Sequence, residues 1–185
     1  MRWYKRKYIW CIFIAVAALF IWWITAFVKV NKKYKIEQIM PYHIGDTFQT
    51  DNLEITWDDM YILTVDELIE ERPSITKRDL IEMGEDNQEF CAVSLTVKNI
   101  SEKHIQTRLS AWTITCSDYG NGCSYATAYV NVNFAEGLNP NQEEKALLLY
   151  DIKQKNKEKF LNNDITLYVS LYPKEIRLTG KLRKR

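Results

Sequence analysis

Histidine is almost absent: His43 and His104 are the only two in 185 residues. That leaves little material for a zinc site, which takes about four ligands, mostly Cys and His. It leaves equally little for a nucleophile that needs an imidazole beside it. No glycine-rich phosphate loop, internal repeat or low-complexity tract is present among six glycines and four prolines. The acid runs Asp58-Asp59 and Glu82-x-x-Glu85-Asp86 lack the alternating oxygen ligands of a calcium loop and read as solvated faces. The chain is therefore read as a non-enzyme with no cofactor and no metal.

Acids are missing altogether from residues 1–35, where eight bases stand: Arg2, Lys5, Arg6, Lys7, Lys29, Lys32, Lys33 and Lys35. Residues 36–180 reverse the balance, with 24 acids against 13 bases, a net of −11. Such a body is unsuited to nucleic acid, whose phosphates select basic surfaces.

Charge of either sign is missing from Tyr8–Val28, 21 residues long. At 1.5 Å per residue a helix of this length covers roughly 30 Å, the thickness of the bilayer hydrocarbon. Trp3, Tyr4, Tyr8 and Trp10 gather at one end and Trp22, Trp23 and Phe27 near the other, as in an aromatic belt. A cleaved signal peptide competes with this reading, but its apolar run is shorter and ends on small residues. Bulky Trp22, Trp23 and Phe27 favour an uncleaved anchor. Four bases flank each side, so charge alone does not orient it. A short tail bearing four bases is a poor candidate for translocation. Residues 1–7 are therefore expected in the cytosol, and the chain after about residue 30 outside. The eight bases would lie at the two membrane surfaces.

The expected organisation is a cytoplasmic basic tail (1–7), a transmembrane helix (8–28), a stalk (29–44), a domain (45–180) and a second basic tail (181–185). Strand rhythm begins at Gly45. "DTFQT" and "LEITWDDMYIL" read as a hairpin turning at Asp51-Asn52, with a phase change near Asp58-Asp59 as a β-bulge would cause. Residues 65–88 carry helical spacing, with Thr76 as a cap and Gly84 as a stop, and read as a helical insertion. "EFCAVSLTVKNIS" alternates cleanly. "HIQTRLSAWTITCS" and "GCSYATAYVNVNFA" read as two further strands, followed by "EEKALLLYDIK", "ITLYVSLY" and "KEIRLTGKL". Trp57 and Trp112 are read as core. Seven to nine short strands with turn signals between them predict an immunoglobulin-like antiparallel β-sandwich.

The four cysteines pose a separate question. Cys116 and Cys123 sit in "ITCSDYGNGCSY". Outside the cell such a pair tends to be oxidised. A hairpin turning at Tyr119-Gly120 sets Cys116 opposite Cys123, close enough for a disulfide. A turn at Asn121-Gly122, the stronger turn signal, sets Cys116 opposite Thr127 and forbids the bridge. Free thiols, or a redox or metal pair, remain open as alternatives. Cys91 reads as a buried small hydrophobe.

"IGDTFQTDNLEIT", "FCAVSLTVKNIS", "GLNPNQEEKALLLYDI" and "DITLYVSL" together resemble a family of immunoglobulin-like extracytoplasmic domains of unknown function from Gram-positive bacteria. These sit behind a lipoprotein signal or a single transmembrane helix. The likeness covers about residues 42–180 and implies a fold and a cell-membrane location. It carries over no catalytic residue, and the 65–88 insertion departs from the commoner pattern.

The expected role is a recognition or accessory module whose partner is a protein, a peptide or a cell-wall polymer. The insertion is the expected partner-facing part, through Leu68, Ile69, Arg72, Leu80, Ile81 and Met83, and is expected to be dispensable for folding. One alternative is a thiol redox or metal-handling protein using Cys91, Cys116 and Cys123. Another is a bacteriocin-immunity or envelope-stress factor. The tail "KLRKR" could rest on anionic headgroups or wall polymer.

Overall fold

A computed structural model describes residues 2–33, 41–50, 52–86, 89–107, 109–170 and 175–183. Lys35, Asp51, Lys184 and Arg185 lie outside the described residues, as do the side chains of Arg2, Lys5, Arg6 and Lys7. The chain divides into two units, Met1–Glu37 and Gln38–Arg185.

The first unit is one helix, α1 (Arg2–Lys33). Its Ile12–Lys33 stretch is long and apolar enough to cross a membrane. Large apolar side chains from Trp10 to Val30 are exposed along it, with no buried stripe. A helix that is apolar all round suits a hydrocarbon solvent and not a water-facing surface. The helix continues past Val28 into the residues expected to form the stalk.

The second unit is an antiparallel β-sandwich with one parallel strand pair. Its four-stranded sheet runs in the order β2 (Thr47–Gln49), β3 (Leu53–Thr64), β4 (Glu89–Asn99), β7 (Glu143–Ile152). Its five-stranded sheet runs β1 (Pro41–Tyr42), β9 (Ile176–Gly180), β8 (Ile165–Ser170), β5 (Thr113–Cys116), β6 (Tyr119–Gly122). The parallel pair is β1 with β9. Because β1 lies inside 29–44, the folded unit begins before Gly45.

Alternation decides which side chains meet between the sheets. Cys91, Val93, Leu95 and Val97 of β4, and Ala146, Leu148 and Tyr150 of β7, face Ile114, Ile165, Leu167 and Leu178 in one core. The expected bulge is present: the β3–β4 register shifts between Trp57 and Asp59. The extra residue lets both Trp57 and Met60 point inward. Asp58 is the residue without a cross-strand partner, its carboxylate accepting from Thr96 Oγ1 at 2.9 Å; the next carboxylate, Asp59, accepts from Met60 N at 2.7 Å while its carbonyl takes the Trp57 indole N–H at 3.1 Å.

The other face of the four-stranded sheet is also apolar. Tyr61, Leu63, Phe90, Ala92, Leu147 and Leu149 form a second core there. Three short helices cover it: α2 (Val65–Glu71), α3 (Lys77–Met83) and α4 (Ala126–Val130). Capping boxes start the first two, Thr64 with Glu67 and Thr76 with Asp79. Gly84, at φ 74°, closes α3 in the left-handed conformation that a side chain would strain. The polar connection 153–163 holds a fourth helix of this domain, α5 (Lys157–Asn162).

Three expectations need correction. Among the described residues of 104–117, β5 is the one strand, preceded by an isolated bridge from Ile105 to Leu138 and a 3-10 turn at Leu109–Ala111. Of residues 122–135 only Gly122, the end of β6, is strand; the rest hold α4 and a 3-10 turn at Val132–Phe134. The hairpin turns at Ser117-Asp118, so Cys116 faces Tyr119 and not Cys123. Ser117 takes the positive φ, 56°, that a tight hairpin turn demands. Cys91, Cys116 and Cys123 are free.

Candidate functional site

The 65–88 insertion was expected to present six side chains outward. Leu68 and Leu80 are instead completely buried in the second core, with Ile75 between them. Ile69 and Met83 pack against it, and Arg72 is half-buried. Ile81 alone of the six is exposed, at 56%. The insertion is thus a lid built into the domain, its apolar spacing spent on burial.

Exposed apolar surface gathers instead on and just beyond α4. Tyr125 is 80% exposed, Tyr129 48% and Val132 54%. Tyr125 and Tyr129, four residues apart, share one side of α4, and Val132 follows in the next 3-10 turn. Ala126 and Val130, on the opposite face, are buried in the second core. Beside α4 is a pocket of about 180 Å³ lined by Thr107, Leu109, Thr127, Ala128, Asn131 and Phe134 among others. The insertion and α4 are joined: Ser74 Oγ donates to the Tyr129 carbonyl at 3.3 Å. Sequence reasoning missed this face because it took 122–135 for a strand, in which Tyr125 and Tyr129 carry no special meaning.

What holds α4 in place is polar. Glu85, only 4% exposed, accepts from Ser124 Oγ at 2.6 Å, Tyr125 N at 3.2 Å and Ala126 N at 3.3 Å. A carboxylate there meets main-chain donors that the first helical turn leaves unpaired. Asp151 lies nearby at the end of β7. Burial first, and then the Glu85 carboxylate, push its pKa up to about 6. Its Oδ1 has no hydrogen-bond partner.

The thiols are not arranged as a reactive set. Burial raises the pKa of Cys91, Cys116 and Cys123 alike, so each is held as a protonated thiol. Cys116 Sγ donates to the Lys159 carbonyl at 3.3 Å. His43 bonds the Thr179 carbonyl and His104 the Asn139 side chain. Among the described residues neither imidazole bonds a serine or cysteine, and no group of three His, Cys, Asp or Glu is placed to hold a metal.

The C-terminal tail is partly tied down. Arg183 Nη2 reaches Asp59 Oδ1 at 2.6 Å, and its main chain pairs with Met60 and Ile62 of β3. Lys181 stands 3.9 Å from Asp164.

Residues 42–169, nearly the whole sandwich, match the model of a domain of unknown function, DUF4352. The chain belongs to the DUF4352 family. No curated protein matches the sequence. Among solved structures the DUF4352 domain is similar to an uncharacterised β-sandwich protein from Clostridium difficile 630. The TM-score is 0.51 at 12% identity, over 80% of this chain and 99% of that one. A functionally unknown protein from Listeria monocytogenes EGD-e gives 0.48 at 8% identity, over 76% and 82%. The first likeness bears on the fold alone: a β-sandwich.

Proposed function

We propose that this DUF4352 protein is a single-pass, membrane-anchored recognition or accessory module. Residues 1–7 are cytosolic, α1 spans the bilayer and the sandwich stands outside. The module has no catalytic activity of its own. The observation that carries this is the exposed apolar surface of Tyr125, Tyr129 and Val132. Large apolar side chains elsewhere in the sandwich are almost all buried; Ile81 and Ile100 are the other exposed ones described. Tyrosine is favoured at protein interfaces because it buries much area with few rotamers and keeps a polar handle.

The partner that fits is a protein or peptide with a basic rim. The sandwich segment 36–180 has a net charge of −11, which steers basic partners towards it and repels anionic lipid. A photo-crosslinking amino acid placed at Tyr125 or Tyr129 in the full chain, in living cells, tests this. The expected result is a discrete protein adduct at both positions and none at Gln49, on the opposite edge of the same sheet. Absence of an adduct at both tyrosines would overturn the reading. Protease added to intact cells tests the placement: the sandwich should be digested without lysis.

A further inference from the structure

β7 is an edge strand of ten residues, whereas the other edges, β1, β2 and β6, have two, three and four. A long unpaired edge is a template for another strand. Here its outward main-chain groups are met by borrowed partners. Asn131 Nδ2 donates to the Leu147 carbonyl, and its Oδ1 accepts from Leu147 N, both at 2.8 Å. Thr127 Oγ1 accepts from Leu149 N at 3.0 Å, and Ser124 N donates to the Leu149 carbonyl at 2.7 Å. Asn121 Nδ2 donates to the Asp151 carbonyl at 3.4 Å. Segment 121–131 therefore stands where a neighbouring strand would stand. Its grip is polar more than apolar: α4 has five residues and only Ala126 and Val130 in the apolar core, and besides the β7 bonds it is held by Glu85 through Ser124, Tyr125 N and Ala126 N. Helices this short have little stability of their own.

The strand exposed by lifting that segment is complementary to itself. The groups facing outward belong to odd-numbered residues, so a second copy must pair odd with odd in an antiparallel ladder. One two-fold register sets Leu147 opposite Leu149 of the partner subunit, Lys145 opposite Asp151 of the partner subunit, and Glu143 opposite Lys153 of the partner subunit. Each of these three odd-numbered pairs is apolar with apolar or base with acid. A slip one way sets Glu143 against the partner's Asp151. A slip the other way sets Lys145 against the partner's Lys153. Like charges directly opposed are unfavourable, so the two neighbouring registers are disfavoured.

We infer that β7 is a concealed homophilic edge: α4 caps it, and when α4 lifts, two copies of this chain pair β7 to β7 in the Lys145–Asp151 register. The occupant is a second copy because the charge pattern of the strand answers itself. The inference stands on the edge geometry and is independent of the recognition reading, which uses the outward face of α4.

Disulfide trapping of the full chain in detergent micelles tests it. Lys145→Cys chains mixed with Asp151→Cys chains, both carrying Asn131→Ala, should oxidise to a mixed dimer. Opposed Cβ atoms in an antiparallel pair lie within about 5.5 Å, which a disulfide closes. Lys145→Cys alone should not cross-link, because its two copies sit about 20 Å apart along the ladder. With native Asn131 the mixed product should fall roughly 30- to 100-fold, the effect on an opening equilibrium of losing both bonds to Leu147, about 2–3 kcal/mol. If Asn131→Ala fails to fold, Thr127→Val keeps the shape and removes the bonds to Leu149. In the Asn131→Ala background Lys145→Glu should abolish sedimentation as a dimer, and adding Asp151→Lys should restore it. No mixed cross-link in either opened background, or equal cross-linking by Lys145→Cys alone, overturns the pairing. Equal yields with and without the native cap overturn the concealment.

Discussion

The side-chain amide of Asn131 bonds both main-chain groups of Leu147, donating to its carbonyl and accepting from its N–H at 2.8 Å each. An amide side chain here reproduces one peptide unit of a neighbouring strand. Asn131→Ala leaves a donor and an acceptor of β7 without partners, at a cost of about 2–3 kcal/mol. Asn131→Asp keeps the acceptor but sets a carboxylate against the Leu147 carbonyl, so it should be at least as damaging. Chemical denaturation followed by near-ultraviolet circular dichroism gives both values. Two near-neutral variants would show that water serves the β7 edge equally well.

Asp151 makes stability depend on pH in a definite direction. Its folded pKa, about 6, lies above the unfolded value near 4. The folded state therefore binds the extra proton between these values. The stabilisation is complete below about pH 4 and is lost as pH rises through about 6. Asp151→Asn should flatten this slope and raise stability at pH 7.5 by about 1 kcal/mol, after allowance for the half-exposed carboxyl. A thermal-melt series from pH 4.5 to 7.5 reads the slope directly. An unchanged slope in the variant would assign it to another group.

The second core predicts large losses inside the insertion. Leu68 and Leu80 are fully buried, so each change to Ala should cost about 2–5 kcal/mol through lost burial and the cavity left behind. Deleting 65–88 should strip the cover from Tyr61, Leu63, Phe90 and Ala92 and unfold the sandwich. This reverses the expectation that the segment is dispensable for folding. The apolar spacing in 65–88 was readable; which face of the sheet it would cover was not. Both faces of β3 and β4 are apolar around residues 60–63 and 90–93, and a continuous apolar run does not say what lies on either side.

Much of the sandwich was legible because β4, β8 and the first half of β3 alternate cleanly, and the bulge announced itself as a break in phase at Asp58-Asp59. Residues 117–135 were not. "AYVNVNF" alternates apolar with Asn and mimics a strand, yet Asn131 is needed as an edge cap, and its backbone follows a helix to reach Leu147. The hairpin was misplaced for a related reason. Ile114 and Cys116 must both point into the core, which carries β5 to Cys116 and forces the turn onto Ser117-Asp118 despite the stronger Asn121-Gly122 signal. Tertiary burial outweighed local turn chemistry.

That placement fixes the behaviour of the thiols. With Cys91, Cys116 and Cys123 free, reductant should leave the melting temperature of the sandwich unchanged. Burial holds the three as protonated thiols, so maleimide labelling of the folded protein at pH 7 should be slow and become complete in denaturant. A melting temperature that falls with reductant would establish a bridge.

Gly180 meets Trp57 across the sandwich, and the contact admits no side chain. A Cβ on Gly180 would stand 2.8 Å from the Trp57 ring and 3.4 Å from Ile44. Trp57 is fully buried in the main core, and its indole N–H is committed to the Asp59 carbonyl. The ring cannot retreat without breaking that bond at the bulge, where Arg183 also docks on Asp59. Gly180→Ala should therefore cost about 1–3 kcal/mol by overpacking. Arg183→Ala removes a pair that is exposed on the arginine side and partly buried on the Asp59 side, and should cost about 1 kcal/mol. Trp57 fluorescence during urea unfolding distinguishes the two, because a shifted ring changes the folded baseline as well as the midpoint. Equal effects from both variants would mean that Arg183, and not the packing of Trp57 on Gly180, holds the bulge closed.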